Sequence, residues 1–315
     1  MKKEETTTYD KTAYDKVDGK RIVLYLLIVF VITYVLEIGV VGSLAASKDK
    51  TSNMLAQIVT ASMMMIPALS VVITRLVTKE GFQYHNLNPN LKGNGKYYLF
   101  AWFAPAVMIL LGAVLYFICI PGTFDYHMGY ALSVYSEQNI NITSEQLRTT
   151  IFSQMAAGIF MSPIINLITC FGEEWGWRGY LLPKLLKKFS FAPTVLISGL
   201  IWGLWHAPLT VLGHNYGLDY PGYPYLGIVA MCIFCIVMGT IFSYLCIKVK
   251  SCVPAIIMHG AVNGLSATAI YFTEDGGNPF IGPSTTGILG GSMFIICAVI
   301  CLILVYQKKT TSHTN

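Results

Sequence analysis

The sequence predicts an all-α membrane protein with about eight transmembrane helices and both termini in the cytosol. Three observations predict it. Charged residues make up 12% of the 315-residue chain and hydrophobic residues 54%, where a soluble domain carries about a quarter charged residues. The apolar residues come in blocks long enough for a spanning helix, which needs roughly 20 of them, and not in the short alternating runs of a barrel. The basic residues gather on alternate connections between the blocks.

The eight blocks are 22–44, 54–77, 97–120, 150–182, 192–213, 225–247, 251–272 and 287–306. Lipid cannot hydrogen-bond a free backbone, so each is expected as a helix. Block 1 reads as an uncleaved span, because its apolar run over 22–41 is too long for a usual signal peptide, although Ser43-Leu44-Ala45 offers a weak small-x-small site. Block 4 is announced by Thr143-Ser144-Glu145-Gln146, a helix-start signature. It runs on to Pro183, longer than one bilayer needs, and so tilts or extends into the cytosol. Block 6 holds Cys232 and Cys235 as a C-x-x-C, read as two small apolar residues in a lipid-embedded helix. The eight cysteines form no disulfide framework. The connections 121–149, 214–224 and 273–286 are the long outer ones, the last two rich in breakers. The organisation is a polar cytosolic tail over 1–21, one multi-pass membrane domain over 22–306 and a short polar end over 307–315.

Charge sets the orientation. Lys2, Lys3, Lys11, Lys16, Lys20 and Arg21 precede block 1. Arg75, Lys79, Lys92 and Lys96 lie in the second connection, and Arg178, Lys184, Lys187 and Lys188 in the fourth. Lys248 and Lys250 are in the sixth, and Lys308 and Lys309 follow block 8. The odd connections hold only Lys48, Lys50 and Arg148 of the 21 basic residues, with Asp125, Glu137, Asp219, Glu274 and Asp275. The net charge of +5 is thereby topology. No nucleic-acid footprint is present, and the partners expected are the bilayer and a membrane-bound peptide or protein.

An ionisable residue at mid-bilayer costs at least ~2.5 kcal/mol, so it needs a reason. Blocks 4, 5 and 7 hold nearly all of them. Block 4 carries Phe171-Gly172-Glu173-Glu174-Trp175-Gly176-Trp177-Arg178. Glu174 and Arg178 are four apart and share a face, so they pair. Glu173 is turned about 100° away and is left free, which suits a general base. The bland alternative is a salt-bridge cluster of both acids with Arg178. Block 5 carries Trp202-Gly203-Leu204-Trp205-His206, where a lone His is as readily a hydrogen-bonded structural residue. Block 7 carries His259-Gly260-Ala261-Val262-Asn263, and His259 with Asn263 could serve only as an interhelical clamp.

The three helices argue for more when taken together. At ~1.5 Å per residue from the basic ends, Glu173 lies about 16 Å deep, His206 about 21 Å and His259 about 12 Å. Gly172/Gly176, Gly199/Gly203 and Gly260/Gly264 supply a G-x-x-x-G on each helix for close approach. Glu37 in block 1 reads as an acid near the outer end, snorkelling or bonded to a neighbour. The hydropathy pattern does not repeat, which disfavours a transporter.

At these residues the sequence resembles the CPBP family of intramembrane proteases, also called the CAAX-protease, bacteriocin-processing or ABI family. Its pattern is E-E-x-x-x-R, then F-x-x-x-H, then H-x-x-x-N/D on successive membrane helices. The first and third match fully. Trp202 stands where the family usually has Phe. The resemblance covers about 150–270, the catalytic core. It implies that Glu173 and His206 activate a water and that His259 and Asn263 form the oxyanion site, with Glu174, Arg178 and Trp202 in support. The family is often named as metalloproteases, so zinc held by Glu173, His206 and His259 is the alternative to a glutamate mechanism needing no cofactor, which is favoured here. The implied substrate is a CAAX-type protein or a bacteriocin or signal-peptide precursor at the cell membrane, reaching the site from the cytosolic side. The competing reading is a non-catalytic bacteriocin self-immunity or scaffold protein that binds a peptide in the same cavity.

Overall fold

The computed structural model describes residues 11–47, 49–83 and 85–311. The parts of the two tails over 1–10 and 312–315, including Lys2 and Lys3, and also Lys48, lie outside the described residues. Regular structure within the described residues is helical, with two isolated β-bridges, Phe124 to Thr273 and Asn278 to Gly282.

The helices are α1 (Lys11–Leu36), α2 (Gly42–Ala46), α3 (Lys50–Met63), α4 (Ile66–Val77), α5 (Gly95–Cys119), α6 (Gly129–Glu137) and α7 (Ser144–Ile165). They continue as α8 (Leu167–Glu174), α9 (Leu182–Lys188), α10 (Phe191–Trp205), α11 (Ala207–Val211), α12 (Tyr225–Val249), α13 (Val253–Leu265) and α14 (Ser292–Thr311). Two π-helical turns, Glu37–Val41 and Trp175–Leu181, join α1 to α2 and α8 to α9. Leu99, Ile118, Ile165, Ile168 and Tyr225 are all at least 63% exposed on the outer faces. Such apolar exteriors suit lipid and not water.

By length and composition, four helices are long and apolar enough to cross a membrane, or six if each bent pair is one span. The count of eight expected from apolar blocks is therefore not reached on length alone. Breaks inside blocks are the reason. Block 2 bends by 42° between α3 and α4, just before Pro67 in the first turn of α4. Block 4 bends by 53° between α7 and the following helical run to Lys188, at Asn166, three residues after Pro163. A proline removes one backbone donor and crowds the preceding turn, which is enough to kink a helix. Block 5 stops as α10 at Trp205, and Pro208 starts α11. Blocks 5 and 8 yield only the shorter apolar helices Phe191–Trp205 and Ser292–Gln307.

Helix ends are set locally. Thr143 caps α7 with a full capping box: the Gln146 amide donates to Thr143 Oγ1 at 3.3 Å and the Thr143 amide donates to Gln146 Oε1 at 3.0 Å. The expected polar tail is instead helical from Lys11, and its last turns dock on the basic face. There Asp18 takes Lys187 at 3.0 Å, Lys184 at 3.4 Å and Arg21 at 3.5 Å. Glu80 takes Lys184, Arg21 at 3.7 Å and the Tyr180 hydroxyl at 2.9 Å. This network ties α1, the α4–α5 connection and α9 together.

The core is built from α10, α12, α13 and the α8 region, and the three glycine pairs sit where α10 meets α12, where α8 meets the start of α4 and where α13 meets α7. A Cβ on Gly199 would lie 2.6 Å from Ile236 Cα of α12, and one on Gly203 would collide with Cys232. Gly172 and Gly176 abut Met65 and Pro67 at the start of α4. Gly260 and Gly264 abut Pro163 and Ser162 of α7. Only glycine permits backbones this close, so each pair packs its motif helix tightly against a neighbour, α4, α12 or α7.

Candidate active site

Glu173 and Glu174 are successive residues at the end of α8 and so lie on different faces, about 100° apart. Both are buried, at 2% and 0% exposed. Arg178 Nη1 donates to Glu174 Oε1 at 3.0 Å, the pairing expected from their spacing. Arg178 also lies with its Cζ 4.2 Å from the centre of the Trp202 ring and 5.2 Å from that of Phe242. The guanidinium is thus held between a carboxylate and two aromatic faces, as a buried cation requires.

Glu174 has a second partner that the sequence did not indicate. His259 Nδ1 lies 2.9 Å from the same Oε1. An oxygen already held by a guanidinium is an acceptor, so Nδ1 of His259 is the donor and Nε2 is left for the cavity. Trp202 packs edge-on against this ring, with centroids 5.5 Å apart.

Glu173 is not free, as the sequence had suggested. The Trp202 indole Nε1 donates to its Oε2 at 2.7 Å. A phenylalanine has no such donor, so the departure from the family pattern at Trp202 adds a hydrogen bond to the carboxylate. The acid still borders open space on the cavity side.

His206 occupies the joint between α10 and α11. Its Nδ1 lies 2.9 Å from the carbonyl of Trp202. A carbonyl only accepts, so Nδ1 carries the proton and Nε2 is the ring's acceptor. Cys235 of the C-x-x-C is 3.9 Å from the same Nδ1, and it and Cys232 are free thiols in buried positions. Asn263, one turn beyond His259 on α13, is exposed to the cavity, with Nδ2 3.7 Å from Cys170 Sγ.

Glu173, Trp202, His206, His259 and Asn263 all line one cavity of about 660 Å³. Its other walls include Gln57 and Thr60 of α3, Gly213, His214 and Asn215 after α11, and Thr285 and Thr286 before α14. These belong to the ends of the helices at the odd connections. Depth counting had placed the site toward the basic face with access from there. Among the described residues the cavity lining extends toward the odd connections, and the buried run Trp175–Leu181 lies toward the basic face.

Glu37, read from the sequence as an acid near the outer end of block 1, snorkelling or bonded to a neighbour, is fully buried against the same cavity, and neither carboxylate oxygen has a hydrogen-bond partner among the described residues. An acid inside an apolar block was the available signal. The zinc alternative does not fit the side chains: among the described residues no three His, Cys, Asp or Glu groups converge to hold a metal ion.

Comparison with known proteins finds similarity over the part of the chain that carries these residues. Residues 155–265 match the family model described as type II CAAX prenyl endopeptidase Rce1-like. A CAAX prenyl protease 2 from Methanococcus maripaludis is 30% identical over 138 residues, 44% of this chain and 46% of that protein. A lysostaphin resistance protein A from Staphylococcus haemolyticus is 30% identical over 153 residues, 47% of this chain and 38% of that protein. The chain thus spans less than half the length of these curated relatives. The matched stretch holds all three motifs, and over residues 155–265 the chain is similar to Rce1-like CAAX prenyl endopeptidases.

Proposed function

We propose that this chain is an intramembrane endopeptidase that hydrolyses a peptide bond of a membrane-associated peptide or protein. The observation that carries the reading is the convergence of Glu173, His206, His259 and Asn263 on one cavity.

The chemistry follows from the donors and acceptors. Amide hydrolysis needs a base for water and donors for the charge that develops on the carbonyl oxygen. Glu173 offers one carboxylate oxygen to the water while Trp202 fixes the other. His206, locked by the Trp202 carbonyl, offers Nε2 as a second acceptor and orients the same water. The water oxygen attacks the scissile carbonyl carbon and its proton passes to Glu173. Asn263 donates its amide N–H to the resulting oxyanion. His259 donates from Nε2 when the ring is doubly protonated, with Glu174 as its counter-ion. Collapse breaks the C–N bond, and the proton held on Glu173 goes to the leaving amine. No step needs a metal.

The charge pattern supports an orientation with both termini in the cytosol at the cell membrane. The cavity lining then supports a substrate that arrives from the opposite, sparsely basic face. The class of substrate is a CAAX-type tail or a bacteriocin or signal-peptide precursor. The second reading is a non-catalytic bacteriocin self-immunity or scaffold protein that holds a peptide in the same cavity; the lysostaphin resistance relative bears on it only through resistance. Cells expressing Glu173→Gln or His206→Ala separate the two. Loss of processed membrane peptides in both is expected, and processing that survives both changes refutes the enzyme.

A further inference from the structure

The cavity has an ionisable group outside the motifs, Glu37, whose carboxylate oxygens have no hydrogen-bond partner among the described residues. Glu37 opens the π-helical turn Glu37–Val41, is 0% exposed and forms part of the cavity wall. The Leu209 amide faces it without reaching hydrogen-bond geometry, and both carboxylate oxygens are unsatisfied. Glu173 and Glu174 differ in this respect, since Trp202 holds one and Arg178 with His259 the other. A buried carboxylate left unpaired is costly, and π-turns in spanning helices recur at functional positions.

Among the described residues the cavity lining contains no lysine or arginine. The ionisable lining residues are Glu37, Glu173, His206, His214 and His259. Val41 shares the π-turn with Glu37 and packs with Met63 and Leu209 in one apolar cluster, and all three line the cavity. That combination suits a group with an aliphatic stem and a cationic tip. It also repels a second carboxylate, which gives selectivity against acidic residues and free C-termini at that position.

We propose that Glu37 is a specificity-determining residue that receives a basic side chain, lysine or arginine, of the peptide bound beside Glu173. The proposal rests on the protease reading for its substrate and on the empty carboxylate for its chemistry.

The test uses the full chain in lipid nanodiscs and synthetic peptides with an apolar anchor. One position at a time carries lysine, norleucine or glutamate. Binding is measured on the Glu173→Gln protein, which retains Glu37, and cleavage on the unmodified protein. At one position the lysine peptide is expected to bind roughly 30-fold more tightly than its norleucine counterpart, in line with a desolvated charge pair. Adding Glu37→Gln should bring that ratio close to unity, and Glu37→Lys should shift preference to the glutamate peptide. The lysine-for-norleucine comparison needs no change at Glu37, so misfolding of those variants does not blunt it. The absence of a lysine preference at every position overturns the proposal, as does a preference unchanged by Glu37→Gln. Cleavage without lysine preference removes the role of Glu37 alone. Lysine-selective binding with no cleavage of any peptide removes the protease reading and leaves Glu37 as a binding determinant.

Discussion

His259 and Arg178 meet on a single oxygen of Glu174, at 2.9 Å and 3.0 Å respectively. The second glutamate of the E-E pair is thereby a hinge between two motifs. It neutralises the buried arginine and turns the imidazole of α13 toward the cavity. The first glutamate faces the cavity itself. Two adjacent carboxylates are separated in task because the helix turns about 100° between them.

Glu174→Gln leaves Arg178 buried without its counter-charge. The arginine is 4% exposed, so a loss of roughly 3–5 kcal/mol is expected for a broken buried pair. Thermal unfolding in detergent reads this directly. A melting temperature equal to that of the unmodified protein would contradict the pairing.

Trp202 combines two tasks that substitution can divide. Trp202→Phe keeps a ring beneath Arg178 and beside His259 but removes the donor to Glu173 Oε2. The expected cost is the range for a hydrogen bond to a charged group, about 1.5–3 kcal/mol, seen mainly in turnover. Trp202→Ala also empties the space between Arg178 and His259 and should cost about 3–5 kcal/mol of stability. If both variants melted alike, the division would be wrong.

The helix crossings give a matched pair of glycine tests. Gly203→Ala drives a methyl into Cys232 of α12, and overpacking of this kind costs about 1–3 kcal/mol. Gly19→Ala in α1 meets nothing within 4 Å and should stabilise by up to ~1 kcal/mol through helix propensity. Unfolding curves of the two should move in opposite directions.

Access can be tested with cysteine labelling. A Gln57→Cys protein treated in intact cells with a membrane-impermeant thiol reagent should lose peptide processing, because Gln57 lines the cavity. Lys188→Cys, on the basic face, should react only after the cells are opened. Reaction of Lys188→Cys from outside would reverse the orientation.

The sequence made parts of this arrangement legible and hid others for physical reasons. The all-α class followed from apolar length, and the Glu174–Arg178 pair followed from helical spacing. The glycine pairs marked the crossings because close backbones leave few alternatives. The 53° bend at Asn166 was not legible, since Pro163 can be absorbed in a straight helix or kink it, and neighbours decide. The apolar run around His206 predicts a residue within a span, and the structure places it at the joint between α10 and α11. The contact of Trp202 with Glu173, like that of His259 with Glu174, joins residues on different helices and exists only once the bundle has packed. Glu37 was misplaced because block 1 was treated as one regular helix. The π-turn that begins at Glu37 interrupts it, and the acid borders the cavity.

The most direct test of the account follows the oxygen of the attacking water. The unmodified protein and Glu173→Gln are given the same membrane peptides in heavy-oxygen water, and the new C-termini are weighed by mass spectrometry. The unmodified protein should yield cleaved peptides carrying a single heavy oxygen at the new carboxyl group, and Glu173→Gln should yield none. Equal cleavage by both proteins would contradict a water activated by Glu173.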